Sequence, residues 1–419
     1  MLTIACSWFL SPPIRRFALI LPLLLAGCKP LQTGTVSAQQ IGTPIYESAE
    51  GILEVLDNSA TFSQVIAMNG EGAVLGLREV EAEEKALTSQ AFFYKDSETS
   101  RDAPVLDGYT NTELQALSDN GMAVGYASRP IGHPQGSFTA ILWNGKSGKL
   151  SDLGKLDGDL ASHAQDISAD GQRVVGYSTG SHPARTRLCL WQWDSKAKNW
   201  SAEELDTPFY MNPLLVNSSA VISPDGNRVA ACVTVKIIDP LNYISSLFVW
   251  ELVDDNWNRK LVSEQVGRLK DINNRGEIVM NVTHAHGLLP SVIDLTGKQT
   301  KIDLLPDDVS GEGLAISDDG VLVGRSDDPA GPIGGPTAFS WQNGKMGVPE
   351  FANRSVYSAS YAINGRGQIA GLVDVVIIDD KLQLAGLEDQ RSDEEEIKAK
   401  TLAFRWTPAE SSTLPTKNN

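Results

Sequence analysis

The sequence is poor in the residues that most often carry chemistry. Its 419 residues include five His and four Cys, and two of those Cys, Cys6 and Cys28, fall within the first 28 positions. Cys189 and Cys232 make no disulfide framework, which excludes a small cross-linked secreted scaffold. Both sit in apolar strand-like runs, "LCLW" and "VAACV", where they read as buried small hydrophobes, and a bridge between neighbouring repeats stays open. Basic residues are also scarce: 35 Lys and Arg face 52 Asp and Glu, a formal net charge of −17. Such a surface repels phosphates, so no nucleic acid is expected as a partner. No residue pattern assembles an acid, a base and a nucleophile, so the sequence by itself names no activity and calls for no cofactor.

The N-terminus reads as an address. Arg15 and Arg16 precede "FALILPLLLAG", an apolar run too short to cross a bilayer. It ends in "LAGC" (Leu25 to Cys28), which resembles the bacterial lipobox. That resemblance implies cleavage before Cys28, a diacylglyceryl thioether on its sulfur and three acyl chains, palmitate among them. Each buried CH₂ adds about 0.8 kcal/mol to membrane affinity. Lys29, where an Asp would retain such a protein at the inner membrane, implies the outer membrane. The alternative is a plain secretory signal with an incidental Cys. The expected organisation is a signal peptide at 1–27, a lipidated tether at 28–43, a folded body at 44–407 and a disordered tail at 408–419.

What the sequence has in abundance is one phrase. "AMNGEGAVLG", "ALSDNGMAVG", "DISADGQRVVG", "VISPDGNRVAA", "DINNRGEIVM", "AISDDGVLVG" and "AINGRGQIAG" align on Gly72, Gly121, Gly171, Gly226, Gly276, Gly320 and Gly367. The period, 44 to 55 residues, suits one four-stranded propeller blade. A Ser or Asn followed by Gly and a Val/Ile/Leu run is the grammar of a tight hairpin, strand A to strand B. A second phrase follows in each repeat, as in "AFFY", "AILW", "LCLW", "LFVW", "AFSW" and "AFRW". Its recurring ring suits packing between twisted sheets better than sugar stacking. This is strand C, which turns into a short strand D. The expectation is an all-β, seven-bladed β-propeller of four-stranded antiparallel blades. "PIYESAEGILEVLD" (44–57) reads as a C–D hairpin without an A–B, and "LAFRW" as a strand C without a D. An N-terminal strand near Leu53 to Leu56 is therefore expected to close the ring. Blade 5 is the irregular copy, with Met280 in place of Gly and Asp294 in place of the ring.

The run "DLGKLDGDLASHAQDISADGQRVVGYS" (152–178), with "AFSW" and "AFRW", resembles the bacterial extracellular HAF repeat. The resemblance implies a propeller-like fold and export. The His that names that repeat is absent here, since Gln90, Thr139, Arg187, Ser246, Pro290, Thr337 and Leu402 precede the phrase.

In such a blade the A–B and C–D turns share one face, and the B–C and D–A connections share the other. The former are short, whereas the B–C connections vary in length and blade 7 carries an acidic insertion (379–400). Variable connections on one face mark it as the binding face. His133, His182, His284 and His286 are assigned to B–C connections and His163 to a D–A connection, which makes all five loop-face binding candidates. "THAHG" places His284 and His286 at i, i+2, but no third ligand is at hand, so no metal is called for. "GYSTG" (176–180) matches a nucleophile pattern, yet it ends a strand B where an elbow needs a helix. The leading expectation is a monomeric, membrane-anchored module without catalysis that presents its loop face to an envelope protein or glycan. The alternative is an envelope hydrolase or lyase at the axial mouth of that face, using His163, His182 or His284 with Asp159 or Asp308.

Overall fold

The computed structural model describes residues 42, 44–57, 59–81, 87–96, 100–130, 138–181, 186–207, 219–239, 242–264, 267–327, 335–378, 381–385 and 399–409. These form seven antiparallel sheets, and their one helical element is the 3₁₀ turn Ala352–Arg354. Strand A of blades 1 to 7 is Ser63–Met68, Asn111–Leu117, Ala161–Ile167, Ala220–Ile222, Arg268–Ile272, Ser310–Ile316 and Ser358–Ile363. Each lies at the inner edge of its sheet and packs on the next around one axis. The result is a closed seven-bladed propeller.

The repeated phrase builds the hairpins as the residues dictate. All seven turn glycines have φ between +70° and +85°, a region that L side chains avoid. Ahead of each glycine, Asn69, Ser118, Ser168, Ser223, Asn273, Ser317 or Asn364 accepts the backbone N–H that opens strand B, at 2.9–3.2 Å. The same turns bond to one another across blades. Asn69 Nδ2 donates to Ser118 O at 2.9 Å, Asp119 N to Ala169 O at 2.8 Å and Ala169 N to Pro224 O at 2.8 Å. The Asn274 side chain accepts from Asp225 N, and Asn274 N donates to Asp318. Asn364 Nδ2 returns to Asn69 O at 3.2 Å, joining the last blade to the first.

Between blades the core is aromatic. Trp143, Trp191, Trp250 and Tyr94 are fully buried, and Trp143 meets Phe93 of the neighbouring blade edge-on at 6.4 Å. Truncating one such Trp would cost about 3–5 kcal/mol. A hydrogen-bonded clip recurs beside them, in which Ser63, Ser162 and Ser358 accept from the N–H of Ala403, Ala140 and Ala338. Blade 5 keeps its place despite its irregular sequence. Met280 is buried in the core, and Asp294 caps its C–D turn by accepting from Thr296 N and Lys298 N.

Blade 7 is assembled from both ends of the propeller. Its strand D is Gly51–Val55, which pairs with strand C, Ala399–Pro408, in the register Leu53↔Trp406. The N-terminal hairpin is therefore not a C–D pair. Pro44–Glu47 adds a fifth, outermost strand, an edge position that tolerates proline. Arg405 rivets the seam, ion-pairing with Glu54 and donating to Gly72 O and Lys95 O. In blade 4 the supposed B–C loop "IDPLNYISS" is largely strand, because Arg228–Asp239 and Asn242–Val253 form one long hairpin.

Candidate functional site

The residues that face the axis were not visible as a set in the sequence. In blades 2, 3 and 6, strand B carries Gly125, Gly176 or Gly324. A Cβ at these positions would lie 1.9, 2.0 or 1.9 Å from a strand-A carbonyl oxygen. Only glycine permits that approach. The approach brings the following residue against its strand-A partner, giving the pairs Tyr126↔Glu113, Tyr177↔His163 and Arg325↔Glu312. All three pairs are bonded. Tyr126 donates its hydroxyl to Glu113, His163 Nδ1 meets the Tyr177 hydroxyl, and Arg325 Nη2 donates to Glu312 Oε2 at 2.6 Å. The available signal was the residue after the "VG" of strand B together with the strand-A residue five before the Ser, an offset that takes meaning only once the register is known.

His163 corrects one expectation. It lies inside strand A of blade 3, not in a D–A connection, because a bulge between Ala164 and Asp166 breaks the alternation that would mark the strand. The ring is buried among Tyr126, Tyr177 and Gln115, and burial pushes its pKa down to about 3. Gln115 Nε2 lies 3.1 Å from His163 Nε2. With the amide as donor there, the neutral ring carries its proton on Nδ1 and donates it to Tyr177. Burial, with the Glu113 carboxylate second, also raises Tyr126 far above its ordinary range.

On the opposite arc, Glu312 is ringed by cations, with Arg325 at 2.6 Å, Lys270 at 3.7 Å and Arg268 at 3.9 Å. Burial would raise its pKa, but Lys270, Arg325 and Arg268 outweigh burial and hold it below the ordinary glutamate range. Asp166 and Asp271 mark the inner strands nearer the turn face. Each takes two backbone N–H groups, Ile167 and Ile222 for one, Ile272 and Ile316 for the other, all at 2.8 Å.

Two of the remaining histidines are described. His284 ends strand B of blade 5 and His286 sits in the two-residue turn before Gly287, both exposed on the loop face. His133, His182, Cys28 and most of the acidic insertion lie outside the described residues. Asp159 ion-pairs with Arg187 at 2.9 Å. Among the described residues, no hydrogen bond or ion pair joins any two of His163, His284, Asp159 and Asp308, and no cluster of three His, Cys, Asp or Glu is arranged to hold a metal. Ser178, in the nucleophile-like run, is fully buried and accepts from Leu156 N at 3.1 Å, so it clamps a connection. Cys189 and Cys232 are buried free thiols in separate inter-blade cores, and burial raises both.

The two faces differ. A concavity of 710 Å³ spreads over the turn face around Asn69, Asp119, Asp170 and Asp225. Its polar groups are engaged in the turns and the bonds between them. Val253, at the C–D turn of blade 4, is exposed on the turn face, while Val105, Leu160 and Val309 in D–A connections and Phe138 at the start of a strand C are exposed on the loop face. Phe138 stacks edge-on against Tyr126 at 5.5 Å, and Tyr126 against His163 at 4.1 Å, so an aromatic path runs from that surface to the axis.

No family model and no curated protein matches the chain. Among solved structures it is similar to the β-propeller domain of the Trilobed protease from Pyrococcus furiosus, with a TM-score of 0.50 and 11% identity over 81% of this chain and 100% of that one. That domain has an open velcro topology, whereas here the N-terminal strand closes blade 7. It is also similar to the uncomplexed acylaminoacyl peptidase of Pyrococcus horikoshii, with a TM-score of 0.49 and 10% identity over 78% of this chain and 52% of that one. An oligogalacturonate lyase in complex with manganese scores 0.49 at 10% identity over 86% of this chain and 94% of that one. At such identities the likeness shows the propeller fold alone.

Proposed function

We propose that the chain is a lipid-anchored propeller of the bacterial cell envelope, similar to HAF-repeat proteins, that binds an envelope protein or glycan through its loop face and performs no chemistry on it. The observation that carries this reading is the contrast between the faces. Val105, Phe138, Leu160 and Val309 stand exposed on the loop face, while on the turn face Val253 is exposed and the side chains of Asn69, Asn274 and Asn364 are spent on holding the ring. Exposed apolar groups rimmed by variable polar connections are what a docking surface needs. Cys28 serves as the lipidation site and residues 28–43 as the tether, with the outer membrane as the destination. His133, His182, His284 and His286 are proposed as polar contacts on that face. His163 acts from beneath, positioning Tyr126 under Phe138.

Crosslinked pulldown from envelope fractions tests the reading, comparing the intact chain with a Val105→Ser/Leu160→Ser variant and with a 386–398 deletion. That deletion spares Lys381–Leu384, which pairs inside blade 7. Partner recovery should fall with the double variant, and undiminished recovery in both variants would overturn the loop-face assignment. Cys28→Ser should move the chain to the soluble fraction and abolish labelling by radioactive palmitate.

A further inference from the structure

The turns that build the blades carry a dipeptide with chemistry of its own. Asn-Gly occurs five times, at Asn69, Asn120, Asn144, Asn343 and Asn364. Glycine leaves its backbone nitrogen unshielded, so that nitrogen can reach the amide carbon of the preceding asparagine and close a cyclic imide. The reaction needs both groups free to move, and the five pairs differ in how firmly they are held.

Four of the asparagines are spent on their turns. Asn69 Oδ1 accepts from Glu71 N and Ala73 N, its Nδ2 donates to Ser118 O, and Gly70 N donates to Asp119 at 2.6 Å. Asn120 accepts from Ser118 Oγ and Met122 N and donates to Asp170 O at 2.8 Å. In the C–D turn of blade 2, Asn144 accepts from Ser147 N at 2.8 Å, and Gly145 N donates to Gly121 O at 2.9 Å. Asn364 accepts from Arg366 N and Gln368 N and donates to Asn69 O.

Asn343 is held by none of these devices. Neither its side chain nor Gly344 N has a hydrogen-bond partner among the described residues, both residues are exposed, and a Cβ on Gly344 would meet no atom within 4 Å. With φ of +51° and +81°, the two form a left-handed hairpin turn closed by the pair Gln342↔Lys345. The strand beyond it, Lys345–Gly347, has three residues and lies at the outer edge of blade 6. So short an edge strand opens at low cost, which releases the turn and lets Gly344 N swing onto the amide carbon.

We propose that Asn343 is a modification site, converted without a catalyst to aspartate and isoaspartate. Gly344 N attacks Asn343 Cγ, and the new C–N bond displaces the side-chain nitrogen, which leaves as ammonia with the proton lost from Gly344 N. Water then opens the imide at either carbonyl. Both products add one negative charge to the turn face, away from the loop-face docking surface.

Peptide mapping by mass spectrometry tests this on the folded full-length chain, incubated in neutral detergent and mildly alkaline heavy-oxygen water. The Asn343 peptide should gain a labelled carboxyl at least about tenfold faster than the other four Asn-Gly peptides, which must first give up their hydrogen bonds. In urea the five should converge on similar rates. Asn343→Gln should abolish the gain at that peptide and leave the other four unchanged. Where that variant fails to fold, judged by circular dichroism, the ranking in the native chain decides. An unchanged Asn343 amide, conversion at any of the other four as fast as at Asn343, or a ranking that persists in urea would overturn the proposal.

Discussion

The turn face and the loop face are opposite ends of the same seven hairpins. On the turn face, Asn69, Asn274 and Asn364 reach across to the next blade, and the hydrogen bonds run from turn to turn. On the loop face, Val105 and Leu160 stand in solvent, and the connections differ from blade to blade. Identical short turns can bond identically to their neighbours, so repetition there yields a hoop. Connections released from that duty are free to vary, and variation is what recognition requires. The acidic residues follow the same division. Asp225 of the turn face accepts from Ser223 and Asn227 N, while Asp206, in a connection on the other side, reaches outward to Arg259.

Breaking the ring at its seam should have the largest effect. Arg405→Ala leaves Glu54 and the Gly72 carbonyl without their cation and should destabilise the fold by about 3 kcal/mol in urea unfolding. An unchanged midpoint would mean that strand pairing alone closes blade 7. Next in size, Asn69→Ala should cost about 2 kcal/mol, since it orphans the buried Ala73 N–H and takes from Ser118 O one of its two donors, leaving Gly121 N. A cost as small as that of a surface substitution would show that the hoop is ornamental.

Asp166 and Asp271 give a pH signature to the turn half of the wall. Burial raises both pKa values from 3.8 to about 7, against the opposing pull of the backbone N–H bonds. A folded-state pKa above the unfolded one means that the folded chain holds the proton more tightly. The stabilisation is complete below about pH 4 and is lost as the pH rises through 7. Both residues are only half-buried, which tempers the shift, so each carboxyl contributes on the order of 1 kcal/mol. Urea midpoints measured between pH 4.5 and 7.5 should fall with rising pH, and Asp166→Asn should flatten that slope. The smallest effect on stability belongs to the loop face. Phe138→Ser should shift unfolding by no more than about 0.5 kcal/mol while reducing partner capture, and a large loss of stability would make Phe138 part of the core instead.

Much of this architecture is legible in the sequence because its physics is local. A turn glycine, a Ser or Asn three residues before it and a ring ending strand C each act within a few residues, and each copy reinforces the others. The axial set resisted reading for the opposite reason. Glu113 and Tyr126, or Glu312 and Arg325, are 13 residues apart, and the repeat fixes neither partner's identity. The bulge beside Asp166 hid His163 in the same way, by shifting the alternation that locates strand A. In blade 4, the Asp-Pro at 239–240 looks like a loop signal, yet strand continues on both sides of it.

The seam also bears on where such a chain could be cut. Ala409 N donates to Glu50 O at 2.9 Å, so the strands that open and close the propeller lie side by side. A ring of this kind has no intrinsic first blade. Joining the ends at blade 7 and opening the chain in another blade's C–D turn would move the borrowed strand to that blade and turn Arg405–Glu54 into an ordinary contact within one sheet. Circular permutants cut at successive blades should therefore share one fold, and their ranking by stability would report how much each junction contributes.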